Sequence, residues 1–123
     1  MKESYHELVE ALRKNREKCP WAKELTVEKM ASGLHEEVDE IIQAVGKKDN
    51  ENIKEEIGDL IMDATHLAIL CEEKGMFKAK DVLIGVREKL VRRKPYVFGD
   101  MKVETSEEAL GVWNEVKRRE KDG

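Results

Sequence analysis

Aromatic side chains make up only 5% of this 123-residue chain, so whatever core it builds must be mostly aliphatic, which suits packed helices. A core shared with a second copy would relieve the shortage. Cysteine is also scarce: Cys19 and Cys71 are the only two, and they match no zinc-ligand spacing. One falls in an expected loop and the other in an apolar stripe, the pattern of reduced thiols in a cytoplasmic protein. No apolar run approaches the roughly 20 residues that span a bilayer. The start, MKESYHELVE, is too acidic and too polar for a signal peptide. No membrane partner is therefore expected. Excess positive charge is missing too. The net charge is -4 with a pI near 5.5, which argues against a broad footprint for nucleic acid. Strand-like alternation, internal repeats and low-complexity linkers are absent. The length fits a single domain, 1–123, with a modest core.

What the chain does have is charge and helical periodicity. Charged residues are 41% of the total, and abundant Lys and Glu stand beside a single glutamine, Gln43, a composition that leans towards heat adaptation. Ser4 with Glu7 forms a capping-box pattern ahead of the stripe Tyr5, Leu8, Val9, Leu12. That helix should fade near Arg16. Cys19 to Glu24 reads as loop, because Pro20 biases its predecessor away from helix. Thr26 is the expected N-cap of a second helix with the stripe Met30, Leu34, Val38, Ile41, Val45, ending near Gly46. A long third helix begins at Asp49 or Asn50 and stops at Gly75. A fourth covers roughly Lys78 to Lys94 and is closed by Pro95. Residues 96–103 have no period. Thr105 with Glu108 starts a last helix defined by Ala109, Val112, Trp113 and Val116. The expected fold is all-α, with about five helices.

The segment from Ile57 to Cys71 is the most apolar part of the chain, yet it carries Asp59 and Asp63. At 3.6 residues per turn, Ile53, Ile57, Leu60, Ala64, Leu67 and Cys71 make a core-facing stripe. Glu56, Asp59 and Asp63 follow its flank at i, i+3 and i+7. A carboxylate there loses hydration and must find a cation or become neutral. The second helix adds Glu36, Glu37, Asp39 and Glu40. Glu37 borders the Leu34/Ile41 edge, Glu40 lies about 60° further round, and Glu36 and Asp39 turn towards solvent. Glu37 with Glu40, and Glu56 with Asp59, thus place two carboxylates one turn apart on each of two helices. An antiparallel pair joined by a short turn would bring the four together. Hard divalent cations want such oxygen ligands, and magnesium keeps waters that substrate phosphates can replace. In a chain with 27 acidic residues one such pair means little, and solvated faces explain Glu36 and Asp39 simply. Glu56 and Asp59 have little surface to escape to. Asp63 suits a metal or a hydrogen bond from a neighbouring helix or from His66.

Further along, Val82 and Val86 continue on one helical face to Lys89 and Arg93, an inward stripe that ends in two cations. Two cations in a last turn complement the helix dipole, or they clamp phosphate, with Arg suited to bidentate contact and Lys acting as a point charge. Trp113 and Lys117, one turn apart, offer a stacking face and another cation; Trp113 alone reads as ordinary core.

The order CPWAKELT, HEEVDEI, KEEIGDL, EKLVRRKPYVFGD and WNEVK resembles the MazG family of all-α nucleoside triphosphate pyrophosphohydrolases, from Cys19 to Lys117. CPW and RRKPYVFGD are its most specific parts. The resemblance implies hydrolysis of a nucleoside triphosphate between the α and β phosphates, to the monophosphate and pyrophosphate. It also implies dependence on Mg²⁺, for which Mn²⁺ can substitute, and a homodimer or tetramer in which two chains complete a four-helix core. Carried over by motif, the metal ligands are Glu37, Glu40, Glu56 and Asp59, with Glu36 nearby. Lys89, Arg93, Trp113 and Lys117 match positions tied to substrate handling, and Trp21 lies in the first loop, where the base is met. The chain departs from the family at Ala22, in place of an aspartate, and at Leu25, in place of a glutamine. Lys94 and Tyr96 stand where histidines are frequent.

Glu36, Glu37 and Asp63 all remain candidates for the general base. Three other readings compete. A di-iron or di-manganese carboxylate bundle needs Glu-x-x-His on two helices, and only Asp63-Ala-Thr-His66 comes near. A non-catalytic helical interaction module would use its acids for solubility alone. A single-nucleotide relative would act on dUTP, dCTP or phosphoribosyl-ATP.

Overall fold

The computed structural model describes residues 1–122 and is all-α, with no strand among them. The helices are α1 (Lys2–Lys18), α2 (Pro20–Lys23), α3 (Val27–Lys47), α4 (Asn50–Glu73), α5 (Ala79–Arg93), α6 (Pro95–Phe98) and α7 (Ser106–Asp122). Five are long, as the periodicity predicts. The other two are single turns in segments expected to be loops. Both start on a proline, which breaks the helix before it but suits a first helical position, where its missing N–H costs nothing. The chain divides into two compact units, Met1–Ala79 and the remainder from Lys80.

Within the first unit the helix ends follow their side chains. Thr26 Oγ1 accepts from the Lys29 N–H at 3.1 Å, and Asp49 Oδ1 accepts from the Asn52 N–H at 3.2 Å. Between α3 and α4 the chain reverses on Lys48, whose φ of 56° is left-handed. The α3 helix therefore runs to Lys47, past Gly46. At the end of α4, Gly75 at φ 73° closes a Schellman motif. Its N–H donates to Glu72 O at 3.0 Å, and that of Met76 donates to Cys71 O at 3.1 Å. The capping box expected at Ser4 and Glu7 does not form. Helix α1 already begins at Lys2 with Met1 as N-cap and no side-chain cap bond, which leaves Ser4 inside the first turn.

The buried residues of this unit are Leu12, Ala22, Ala44, Ile69, Leu70 and Cys71, together with Thr65 and His66. The Tyr5 hydroxyl is 2.9 Å from Thr65 Oγ1 and ties α1 to α4. Arg16 fastens the turn after α1: it donates to the carbonyls of Ala22 and Leu25 and pairs with Glu73 at 3.2 Å. Removing it strands two carbonyls beside a buried Ala22, so Arg16→Ala should lower the unfolding free energy by about 2 kcal/mol. A urea titration measures that loss.

The expected stripes are corrected in part. On α3, Met30, Leu34 and Ile41 are partly buried, but Val38 and Val45 are exposed and Ala44 is buried instead. On α4, Ile57 and Ala64 are exposed, while the neighbouring Thr65, His66, Ile69 and Leu70 fill the core. The α3–α4 hairpin is thus left with two bare apolar strips, Val38/Ile42/Val45 and Ile57/Ile61/Ala64; Ile42 is 64% exposed.

In the second unit, Thr105 Oγ1 accepts from the Glu108 N–H at 3.1 Å, and the Glu108 carboxylate reaches back to the Glu104 N–H at 3.2 Å. This is a capping box offset by one residue. Ala109, Val112, Trp113 and Val116 are all partly buried, as their period predicts. Helix α5 buries no residue fully. Val82 and Val86, expected to point inward, are exposed.

Candidate functional site

Helices α3 and α4 run antiparallel, so positions whose numbers add to a constant face each other across the hairpin. Glu37 meets Asp59, and Glu40 meets Glu56. One carboxylate oxygen from each of the four lies within 4.8 Å of all the others. Glu37, Glu56 and Asp59 are partly buried and Glu40 is exposed, which makes a cup open on one side. Oε2 of Glu37 and Oε2 of Glu56 are buried without a hydrogen-bond partner. Asp63, one turn beyond Asp59, is partly buried and adds its charge to the field at Glu37. Glu36 and Asp39 are exposed, as the helical wheel indicates.

Crowding and burial make Glu37 and Glu56 harder to ionise. The adjoining Glu40 carboxyl, close enough to share a proton, is the main cause that pushes Glu56 up to about 7; burial and the charges of Glu40, Asp59 and Glu55 add to it. Glu37 is raised first by burial, then by Glu40, Asp63 and Asp59. Asp63 is raised by burial and by Asp59, against a small opposite pull from His66. His66 is buried, and its Nε2 is unpartnered. Burial, then Arg16, lowers its pKa, so it stays neutral in the core and does not join the acids.

Two orphaned oxygens inside an all-oxygen cup are what a hard divalent cation fits. Glu37, Glu40, Glu56 and Asp59 would hold it. The folded state, metal-free, binds protons at Glu56 that the unfolded chain has already released near 4.5. Stability should therefore fall as pH rises from about 4.5 to about 7. A divalent cation supplies the missing charge and should reverse that trend, raising Tm more at pH 8 than at pH 5. Calorimetric melts with and without Mg²⁺ measure both signs.

Lys89, Arg93, Trp113 and Lys117 belong to the second unit. Arg93 lies over the Trp113 ring, 5.0 Å from its centroid, and the Lys94 ammonium is 5.9 Å from the same ring. The side chain of Arg93 is only 13% exposed. Its Nε and Nη2 donate to Glu120 Oε1 at 3.1 and 2.8 Å, and Arg92 takes the other oxygen of that carboxylate. Together Arg92 and then Arg93 hold Glu120 down to about 2. The motifs did not point to Glu120. Its position two turns after Trp113, on the same helical face, is the signal that could have found it. Lys89 is partly buried, Lys117 is exposed, and Trp21 in the first unit is 73% exposed on α2.

With this geometry in place, comparison with known proteins is decisive. The MazG nucleotide pyrophosphohydrolase domain matches residues 25–98. The chain belongs to the MazG family. It is 36% identical over 119 residues to the nucleoside triphosphate pyrophosphohydrolase/pyrophosphatase MazG of Thermotoga maritima, covering 95% of this chain and 45% of that protein. It is 33% identical over 114 residues to the nucleoside triphosphate pyrophosphohydrolase of Escherichia coli K12, covering 93% and 43%. The chain thus spans less than half the length of these MazG relatives. The crystal structure of a mazG-related protein from Thermotoga maritima superposes with a TM-score of 0.80 at 34% identity, covering 92% of this chain and 98% of that one. The acidic cup and Lys89 and Arg93 fall inside the matched MazG region; Trp21, Trp113, Lys117 and Glu120 fall outside it.

Proposed function

We propose that this chain hydrolyses nucleoside triphosphates between the α and β phosphates, giving the monophosphate and pyrophosphate. The observation that carries the reading is the cup of Glu37, Glu40, Glu56 and Asp59 with its two unpartnered buried oxygens, in a chain of the MazG family. When bound there, Mg²⁺, or Mn²⁺ in its place, polarises a phosphoryl oxygen and acidifies water. Glu37, Glu40, Glu56 and Asp59 would hold it, and Glu56, raised to about 7, would give up its proton to do so. A carboxylate among Glu36, Glu37 and Asp63 takes the proton of the attacking water. The new bond forms to the α phosphorus and the bond to pyrophosphate breaks. Lys89 and Arg93 neutralise charge on the leaving side. Trp113 and Lys117 hold the rest of the substrate, and Trp21 meets the base. Residues 1–123 make a single MazG-like domain that acts in the cytoplasm.

The test is product analysis over a panel of canonical and damaged nucleoside triphosphates with Mg²⁺. Release of pyrophosphate and monophosphate from at least one of them is expected. Orthophosphate and diphosphate as products would overturn the site of cleavage, and no turnover of any would overturn the activity.

Assembly is the second part of this reading. The strips Val38/Ile42/Val45 and Ile57/Ile61/Ala64 are continuous, apolar and bare in the single chain. A second α3–α4 hairpin placed over them would make a four-helix core. The chain should sediment as a dimer or tetramer, and Ile42→Glu should shift it to monomer. A monomeric parent chain would contradict this arrangement.

A further inference from the structure

Among the substrate-handling candidates, Arg93 is held in one orientation, and the hold comes from α7. Trp113 and Glu120 stand seven residues apart, so their side chains leave the same face of that helix. The ring supplies a flat floor for the guanidinium at 5.0 Å. One carboxylate oxygen of Glu120 grips the Nε–Nη2 edge. That grip leaves Nη1 and the outer proton of Nη2 for another acceptor. The other oxygen of Glu120 binds Arg92, so a single anion is shared between two cations and the cluster keeps a net positive charge, to which Lys94 adds.

We propose that Glu120 is a positioning residue for the triphosphate: it holds Arg93 flat on Trp113 so that the free edge of the guanidinium is presented to phosphate in a fixed direction. The proposal rests on the reading of Arg93 as a phosphate contact. An arginine free to rotate would have to be ordered each time substrate binds, at a cost of about a tenfold loss in affinity. Glu120 removes that cost in advance. Glu120 also binds Arg92, so the double variant with Arg93→Ala is what separates an effect passed through Arg93 from one passed through Arg92.

The experiment uses the full chain, with Glu120→Ala, Glu120→Gln, Arg93→Ala and the Glu120→Ala/Arg93→Ala double variant. Steady-state kinetics with the preferred triphosphate are expected to show KM about tenfold higher in Glu120→Ala and kcat within about twofold. Glu120→Gln, which still offers a carbonyl oxygen to the guanidinium, should fall between it and the parent. The double variant should be no worse than Arg93→Ala alone. The emission of Trp113, read in a Trp21→Phe background without substrate, should change in Glu120→Ala as the stacked cation departs. A parental KM in Glu120→Ala beside a raised KM in Arg93→Ala overturns this proposal alone. So does a full further loss in the double variant, or an unchanged Trp113 emission, since either makes Glu120 a structural ion-pair partner only. A parental KM in Arg93→Ala overturns the phosphate-contact reading itself, and the positioning role with it.

Discussion

Asp59→Ala is expected to reduce Mg²⁺-dependent pyrophosphate release by at least about a thousandfold, and Glu56→Ala to do the same. The size follows from what the acids hold. A divalent cation at a phosphoryl centre contributes several kcal/mol of charge stabilisation, and about 4 kcal/mol corresponds to three factors of ten in rate. With Asp59 gone, the cup keeps three carboxylates, of which Glu40 is solvent-exposed. The fold should survive the change. Asp59 raises the pKa of Glu37, Glu56 and Asp63, so in the metal-free protein its removal relieves repulsion. Metal-free Asp59→Ala should accordingly melt no lower than the parent at pH 8, while losing the rise in Tm that Mg²⁺ confers. Parental turnover in this variant would end the metal-site account.

Arg93→Ala should raise the KM for triphosphate by about ten- to a hundredfold and leave Mg²⁺ affinity unchanged. Its guanidinium offers charge and two-point geometry that a point charge lacks, and it is held in place on Trp113 before substrate arrives. Arg93→Lys should recover little, because an ammonium can neither lie flat on the ring nor bridge to Glu120 by two N–H groups. Calorimetric titrations of Mg²⁺ and of a non-hydrolysable triphosphate separate the two affinities. Equal loss of both, or loss of neither, contradicts a phosphate clamp.

The acidic cup could be read from the sequence because its signal is local. Two pairs of acids, each one turn apart and flanking apolar stripes, have few places to go when a two-residue turn folds one helix against the other. The caps at Thr26 and Asp49 were legible for the same reason, being written in the adjoining residues. Which apolar residues fill this chain's own core was not. Periodicity marks Ile57 and Val38 as belonging to a buried face, yet this chain leaves both exposed. In the single chain Thr65, His66 and Leu70 are buried instead. The single turns at Pro20 and Pro95 were hidden because proline reports strongly on the residue before it and weakly on those after. Glu120 was hidden among many acids. Its place two turns after Trp113 on the same face of α7 gains meaning only through the pairing with Arg93, 27 residues earlier.

The most direct measurement is anomalous diffraction from crystals soaked in Mn²⁺. A peak within coordination distance of Glu37, Glu40, Glu56 and Asp59, lost in Asp59→Ala, is the predicted result. No peak among these four carboxylates at a saturating concentration, or one that persists unchanged without Asp59, would contradict the account.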